Sequence, residues 1–455
     1  MNIIQLTPGA GAMFCGNCLR DNALVAALRR LGHEVLMIPL YLPLTLDEAD
    51  ESAGTRIFFS GINVYLEQKS ALFRRAPAWL HDLLTSRRLL KWASGRAAKT
   101  RAEELGDLTL SMLRGEAGNQ ARELEELIAW LKTQPKADVI FLSNVLLIGL
   151  ARRLRQELGI PVVCMLQGEH FFLNSLPEPH RSACWRTLSE RAQEVDLLIS
   201  PSRFFAELMQ DYLKVTSDKV KVVWNGINLE GYEGERPKAG AGEQQAKLPK
   251  TTAPPTLGYF ARLCPEKGLD TLVEAFIRLR QRGRVTGLRL RVGGSLGAAD
   301  EPFVEKLRQR LQAAGLQDQA EFCPNIDRSA KLDFLRSLSL LSVPALYGEA
   351  FGLYVIEALA AGVPVVLPRS GAFPELVAET GGGVICEPGD PEALAVAIEE
   401  LLLDPERLRA LAQAGERAVA TKFTAEAMAQ RVAATVAEAC GRKERAKSPA
   451  PVEAK

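Results

Sequence analysis

The 455-residue sequence contains no apolar run long enough to span a bilayer, and its first residues lack the basic stretch and apolar core of a secretory leader. It also lacks an excess of charge of either sign, because its formal net charge is only +1. Non-specific binding to nucleic acid rests on a strongly basic surface. These absences predict a cytoplasmic protein that does not bind nucleic acid.

Metal-ligand patterns are also scarce. The sequence has no Asp-x-Asp motif, and its four histidines are scattered, at positions 33, 81, 170 and 180. Eight cysteines are spread along the chain, several of them in apolar stretches where they act as small hydrophobic residues. This usage is typical of a reducing compartment rather than of a disulfide framework. The sequence therefore predicts a protein without a metal site.

One pair of cysteines is closely spaced, Cys15 and Cys18. A zinc site needs three or four ligands, and no partner cluster accompanies the pair. Two ordinary loop cysteines are the simpler interpretation. A redox-sensitive thiol at a helix N-terminus, or a disulfide that blocks the loop, stays open as the alternative.

Strand-like and helical segments alternate along the chain in two sets, which is typical of parallel α/β sheets. A chain of this length exceeds a single core. Residues 233–255 are rich in Gly, Ala, Lys, Gln, Thr and Pro and show almost no apolar periodicity, which indicates a linker. The sequence thus predicts domains at 1–232 and 256–424, a helix at 425–440 and a disordered tail at 441–455.

Residues 45–135 hold more sequence than one strand–helix connection needs. Between Lys69 and Arg101, nine Lys and Arg residues accompany a single acidic residue, Asp82, with Trp and Leu interleaved. We expect a helical insertion whose apolar face packs on the N-terminal domain while its Arg face is solvated. The alternative is that 69–101 forms an amphipathic helical pair, which binds an anionic acceptor or the inner face of a membrane as a peripheral contact.

Two glutamates eight positions apart, Glu349 and Glu357, lie between two apolar strand-like runs. The pattern predicts Glu349 in a loop and Glu357 about one turn inside a short helix. The backbone N–H groups of Phe351, Gly352 and Leu353 then lie at the positive end of the helix dipole, which suits an anion. Carboxylates on either side of a bound diphosphate can accept hydrogen bonds from diols, so the pattern indicates a nucleotide sugar. For either glutamate alone, a solvated helix-end residue would be the simpler interpretation.

The second domain opens with a strand, then Arg262, then Lys267 and Gly268 before a helix. Arginine can clamp phosphate oxygens in a bidentate manner, and lysine supplies a compact charge. Alone, a lysine before glycine is a common surface turn; together with the glutamate pair it indicates a diphosphate-binding loop. Two cations and a helix N-terminus can stabilise a departing nucleoside diphosphate without a metal.

A glycine-rich loop follows the first strand, at residues 8–18. A dinucleotide-binding loop needs Gly-x-Gly-x-x-Gly and an acidic residue at the end of the next strand. Here Phe14 occupies the third glycine position, and the segment from Met37 to Tyr41 has no acidic residue. The loop therefore does not predict an NAD site.

Taken together, these segments resemble retaining glycosyltransferases of family 4 (the glycosyl transferases group 1 type), over most of the chain. Glu349 and Glu357 match the E-x7-E region of that family, and Arg262 with Lys267 match its diphosphate loop. The resemblance implies the GT-B fold, an α/β architecture of two facing Rossmann-like domains with parallel sheets and a C-terminal helix that crosses back to the N-domain.

The resemblance also implies an activity and the roles of the residues. The protein would be a hexosyltransferase that moves a sugar from a nucleotide diphosphate sugar to an acceptor hydroxyl, with retention and without a metal or cofactor. Glu349 would hold the hydroxyls of the donor sugar, and Glu357 the ribose diol. Gly9 or Gly11 would face the donor from the N-terminal loop, with Gly11 the better candidate. The acceptor, a glycan, lipid or small molecule, is left open.

His170 follows a strand-like run and lies beside Gly168. Related enzymes have a histidine loop here, which implies that His170 lies near the reacting carbon of the sugar. A loop histidine satisfied by its neighbours is the alternative, and Glu169 is a weaker candidate for the same role.

Two other functions stay open. The run from Leu31 to Val35 and the long insertion are similar to α-glucan synthases, of the glycogen and starch type, although their Lys-containing Gly-Gly loop is absent. The second alternative is a non-catalytic protein that binds sugar nucleotides.

Overall fold

The computed structural model describes residues 1–9, 16–59, 102–232 and 254–447. The chain divides into two compact units. The first unit comprises Met1–Asn225 together with the segment that begins at Ala425, and the second comprises Gly226–Thr424. Each unit is built on one six-stranded sheet in which all pairs of neighbouring strands are parallel.

The sheet of the first unit has the spatial order β2-β1-β3-β4-β5-β6. Its strands are β1 (Asn2–Thr7), β2 (Glu34–Pro39), β3 (Val139–Leu142), β4 (Val162–Met165), β5 (Leu197–Ser200) and β6 (Val220–Val222). Its helices in the described residues are α1 (Gly16–Arg30), α2 (Ala102–Arg114), α3 (Ala121–Leu131), α4 (Ala151–Leu158), α5 (Glu169–Ser175), α6 (His180–Ala192) and α7 (Arg203–Leu213). Every residue of β3, β4 and β5 is buried, as expected for central parallel strands that are covered on both faces.

The sheet of the second unit has the order β12-β11-β10-β7-β8-β9. Its elements are β7 (Thr256–Phe260), α8 (Leu269–Arg282), β8 (Arg289–Gly294), α9 (Glu301–Ala313), β9 (Ala320–Pro324), α10 (Arg328–Arg336), β10 (Leu340–Ser342), α11 (Leu353–Ala360), β11 (Val365–Pro368), α12 (Phe373–Thr380), β12 (Gly383–Cys386), α13 (Pro391–Leu402) and α14 (Pro405–Lys422). The strand order reverses between β7 and β10. In an open parallel sheet, such a switch point opens a ligand crevice at the carboxyl ends of the strands.

The last helix, α15 (Ala425–Lys447), belongs to the first unit. Its apolar residues Met428, Val432 and Val436 are buried in one core with Leu24 and Leu28 of α1. The helix runs past its predicted end at 440, so the predicted disordered tail from 441 begins inside it. The added turns consist mainly of Arg, Lys, Glu and Ala, which are good helix formers whatever their charge.

The first domain was expected to end at 232, whereas residues 226–232 belong to the second unit. The backbone N–H of Ile227 donates to the carbonyl of Phe423 at 2.9 Å. On α10, the Arg328 guanidinium donates to the carbonyl of Glu230 at 2.8 Å. These bonds attach the segment to the second unit before the predicted linker at 233–255 begins.

The predicted insertion at 45–135 contains parts of the domain itself. The helix α3 buries Leu124, Leu127 and Ile128 and connects to β3 as an ordinary crossover helix. The helix α2 packs tightly against α6, because a Cβ added at Gly106 would lie 2.6 Å from the ring of His180. The basic segment 69–101 lies outside the described residues. In the part of the chain that is described, no helix combines the length and apolarity needed to cross a bilayer.

Candidate functional site

Two loops meet at the switch point of the second unit, one after β7 and one after β10. Gly268 lies between the short helical turn at 265–267 and α8, with a φ of +71°, and a Cβ there would lie 1.9 Å from the carbonyl oxygen of Pro344. The backbone N–H of Leu346 donates to the carbonyl of Glu266 at 3.0 Å. The two loops therefore touch backbone to backbone. This contact brings together side chains that are more than eighty residues apart in the sequence.

Substitution Gly268→Ala is expected to lower the free energy of unfolding by about 3 kcal/mol or more, because it adds a backbone clash to a left-handed conformation. Gly283 is a matched control at the other end of α8, with a φ of +66° and no atom near an added Cβ. Gly283→Ala should cost only the backbone term, about 1–2 kcal/mol. Urea denaturation of both variants measures the difference, and equal losses would show that the contact of the two loops contributes nothing.

The carboxylate of Glu349 is the centre of the site. Three donors converge on its Oε2 atom: the ammonium of Lys267, the hydroxyl of Tyr354 at 2.8 Å and the hydroxyl of Tyr347 at 3.3 Å. The Lys267 ammonium also lies over both tyrosine rings, 5.0 and 5.2 Å from their centroids. Within the described ranges, no hydrogen bond reaches the other oxygen, Oε1. One carboxylate oxygen is thus fixed by the protein, and the other can accept from a ligand.

The charges of this pair favour its ionised form. Burial disfavours the charge on Glu349, but the positive charge of Lys267 and the three hydrogen bonds outweigh it, so the pKa of Glu349 is lowered. Burial likewise opposes the charge on Lys267, yet the neighbouring carboxylate raises the pKa of that ammonium. Burial also raises the pKa of both tyrosines, which therefore stay neutral donors. The largely buried Lys267–Glu349 pair is therefore ionised at neutral pH.

The helix α11 begins next to Glu349, as the sequence predicted. Gly352 precedes it with a φ of +91°, and no side chain among the described residues caps this end. Phe351 and Gly352 are buried and Leu353 is half-buried. The backbone N–H of Ala372, in the loop after β11, donates to the Glu349 carbonyl at 2.8 Å and fixes the loop before the helix. The positive end of α11 is thus held beside the Lys267–Glu349 pair.

Glu357 lies one turn inside α11 and has its own buried lysine. The ammonium of Lys331, on α10, is 3.0 Å from Glu357 Oε1. The two side chains are 9% and 15% exposed. Sequence reasoning did not identify Lys331, because it belongs to a different helix and no spacing links it to the glutamate.

Arg262 has a partner that the sequence did not indicate. Its Nε and Nη2 atoms both donate to Oδ2 of Asp300, at 3.0 and 2.9 Å. The Arg262 side chain is 60% exposed, unlike Lys267. The hydroxyl of Tyr259 donates to the Arg262 carbonyl at 2.8 Å, which ties the backbone of the loop to β7. Arg262 therefore lies at the rim of the site, oriented by Asp300.

In the first unit, His170 lies in α5 and not in a loop, because the helix begins directly after Gly168. His170 is 7% exposed, and its ring centroid is 5.2 Å from that of Phe205. The neighbouring Glu169 carboxylate accepts from the backbone N–H groups of Val145 at 3.0 Å and Gln167 at 2.8 Å. Burial raises the pKa of Glu169 in spite of these bonds. Gly11 and Cys15 lie outside the described residues.

A buried polar cluster at the carboxyl edge of the first sheet was also missed. Arg20 and Asp21 form a salt bridge of 2.9 Å near the start of α1, with almost no exposure. The hydroxyl of Thr7 donates to Asp21 at 2.8 Å, and Arg20 donates to the Ser143 carbonyl at 2.9 Å. Burial raises the pKa of Asp21. The cluster fixes the ends of β1, α1 and β3 relative to one another. Two adjacent charges at the start of an otherwise buried helix were its only signal in the sequence.

Two Rossmann-like units, each on a six-stranded parallel sheet, are the architecture of the GT-B class of glycosyltransferase fold. The second unit carries the paired glutamates and lysines at its switch point. Residues 241–418 match the family described as Glycosyl transferases group 1, and residues 104–230 match Glycosyltransferase Family 4. Together the matches cover well over half of the chain. The chain belongs to this family of glycosyltransferases.

Named relatives of the same kind are similar over part of the chain. A D-inositol 3-phosphate glycosyltransferase of Segniliparus rotundus is 29% identical over 283 residues, which is 61% of this chain and 60% of the relative. A GDP-mannose-dependent alpha-(1-6)-phosphatidylinositol monomannoside mannosyltransferase of Mycobacterium tuberculosis is 29% identical over 204 residues, 44% of this chain and 51% of the relative. The chain thus spans between half and three fifths of the lengths of these relatives.

Among solved structures, the sucrose-phosphate synthase of Thermosynechococcus elongatus superposes with a TM-score of 0.69 at 20% identity. The superposition covers 98% of this chain and 100% of that one. At this sequence identity, the structural similarity shows a shared fold only.

Proposed function

We propose that the protein transfers a hexose from a nucleotide diphosphate sugar to an acceptor hydroxyl. The observation that carries the proposal is the arrangement around Glu349: one oxygen is fixed by Lys267, Tyr347 and Tyr354, and the other is left to accept from a ligand, beside the N-terminus of α11. The names of the two relatives include GDP-mannose, D-inositol 3-phosphate and phosphatidylinositol monomannoside, which supports a nucleotide-sugar donor and a hydroxyl-bearing acceptor here.

In this proposal the diphosphate lies at the start of α11, against the N–H groups of Phe351, Gly352 and Leu353. Lys267 contributes a positive charge there, since an ammonium has three N–H groups and Glu349 occupies one. Arg262 contributes from the rim, where its Nη1 atom makes no bond to Asp300. These groups stabilise the negative charge that develops as the bond between the sugar and the diphosphate breaks.

The two glutamates recognise the two ends of the donor. Oε1 of Glu349 accepts from hydroxyls of the sugar, and Glu357 accepts from the ribose diol. The electron pair of the broken bond leaves with the nucleoside diphosphate. The acceptor oxygen forms a bond to the anomeric carbon, and its proton passes to the departing diphosphate. Gly11 and His170 stay predictions, since Gly11 lies outside the described residues and His170 is buried against Phe205.

Three finer features belong to the proposal. The transfer retains the anomeric configuration, which NMR of the product would test. It needs no metal or cofactor, because Lys267, Arg262 and the start of α11 supply the positive charge.

The protein acts in the cytoplasm, and 69–101 is the segment that would contact a membrane. Cell fractionation of the full chain, and of a variant in which the arginines of 69–101 are neutralised, would test this location.

The experiment is a panel of UDP-, GDP- and ADP-sugars with the purified protein in EDTA. Release of nucleoside diphosphate from one donor class, together with a rise in Tm, is the expected result. Extension of a glucan primer would favour the α-glucan synthase alternative. A rise in Tm without turnover, with inositol and sugar acceptors present, would favour a non-catalytic binding protein. Turnover that EDTA abolishes would contradict metal independence.

A further inference from the structure

The second glutamate of the pair is held in the same way as the first. Glu349 has one oxygen bound by the half-buried Lys267, and Glu357 has one oxygen bound by the buried Lys331. In the described residues, neither Glu349 Oε1 nor Glu357 Oε2 receives a hydrogen bond. Each carboxylate therefore presents one fixed oxygen and one available oxygen. The repetition indicates that each lysine fixes the orientation of one ligand-binding carboxylate.

The position of Lys331 is unfavourable by itself. It closes the first turn of α10, where the helix dipole opposes a positive charge, and it is nearly fully buried. A buried cation is tolerated when a counter-charge and hydrogen bonds compensate for lost hydration. Glu357 provides that compensation at 3.0 Å. An ion pair on the surface would form without burying either side chain. Two apolar residues at these positions would pack without any charge that needs compensation.

The consequence for Glu357 is geometric. A glutamate side chain has three rotatable bonds, and an unsupported one loses conformational entropy when a ligand fixes it. Lys331 holds Oε1 toward α10, so the orientation of the carboxylate plane is set before a ligand arrives. Preorganised groups bind more tightly, because the cost of ordering them is already met by the fold.

We propose that Lys331 is a positioning residue for ribose recognition: its ammonium fixes Oε1 of Glu357 so that Oε2 meets the 2′,3′-diol of the nucleotide. This inference rests on the proposed function, in which Glu357 binds the ribose. It adds a residue that distinguishes ribonucleotides from 2′-deoxyribonucleotides without contacting the nucleotide itself. Loss of Lys331 would weaken binding of the donor and would not affect the chemical step. KM should therefore rise while kcat stays nearly unchanged.

The test compares UDP and GDP with their 2′-deoxy forms by calorimetry. For the wild type, removal of the 2′-hydroxyl should weaken binding about tenfold, the usual size for a hydrogen bond to a charged group. In Lys331→Met, the ribonucleotide should bind about tenfold more weakly, and the ratio between ribo and deoxy forms should fall toward one. Lys306, exposed on α9, is the matched control, and Lys306→Met should behave as the wild type.

The outcomes separate this inference from the function on which it rests. A folded Lys331→Met with an unchanged ribo-to-deoxy ratio would overturn the inference and leave the pair a purely structural one. Failure of the wild type to bind any nucleoside diphosphate would instead overturn the proposed function. If Lys331→Met does not fold, Lys331→Arg decides the question, because it keeps the charge and moves the donor atoms: a changed ratio supports positioning, and an unchanged ratio contradicts it.

Discussion

Substitution Glu349→Gln lowers kcat by about two to three orders of magnitude in our account, the usual size of effect when a preorganised electrostatic group is removed. The amide removes the negative charge that pairs with Lys267, and it can place an N–H group where three donors now converge. The ligand-facing oxygen loses its fixed orientation as well. The rate of nucleoside diphosphate release at saturating donor measures the effect.

The control for this variant is Glu305→Gln, on the exposed face of α9. It changes the same functional group and should leave kcat within about twofold, because exposed ion pairs contribute little. Urea denaturation shows whether each variant is folded. A folded Glu349→Gln with the turnover of the wild type would remove Glu349 from the site.

Substitution Lys267→Met is expected to lower kcat/KM by about a hundredfold or more, since the departing diphosphate loses its nearby cation. It should also destabilise the second unit by about 3 kcal/mol, because the largely buried carboxylate of Glu349 is left without its counter-charge. Lys306→Met again serves as the control. A variant with normal kcat/KM and lowered stability would show that Lys267 is structural only.

The pH dependence of stability gives a second measurement on the same pair. The pKa of Glu349 is lowered from its ordinary value of 4.5, so its contribution to the free energy of unfolding is fully present above 4.5 and is lost as pH falls through the lowered pKa. The pKa of Lys267 is raised from 10.5, so its contribution is fully present below 10.5 and is lost as pH rises through the raised pKa. The difference in stability between wild type and Lys267→Met should therefore shrink at acid pH. A difference that stays constant down to pH 2 would contradict the ion pair.

Much of the fold could be predicted from the apolar runs. The central strands β3, β4 and β5 are buried along their whole length and almost entirely apolar, which is why the alternation of strand-like and helical segments was recognisable in the sequence. The helix α12 leaves little signal in the sequence, because it has only eight residues and carries a proline at its second position. Proline is compatible with the first turn of a helix, but in a sequence it more often indicates a turn. The same shortness concealed α5, which places His170 in a helix.

The site was predictable as a set of residues but not as a set of contacts. Lys267 and Glu349 were both identified, whereas their salt bridge depends on β7 and β10 being neighbours, which no local pattern shows. Sequence reasoning did not identify Tyr354, although its hydroxyl donates to Glu349. Lys331 and Asp300 come from helices elsewhere in the unit. Such partners become visible only when the strand order is known.

The most direct test of the central claim is the binding of nucleoside diphosphates to the wild type and to Glu357→Gln, measured by calorimetry. We predict that the wild type binds one UDP, GDP or ADP per chain and that the variant binds about tenfold more weakly, the loss expected when a charged acceptor becomes neutral. Failure of the folded wild type to bind any of the three, or equal affinities in the two proteins, would contradict it.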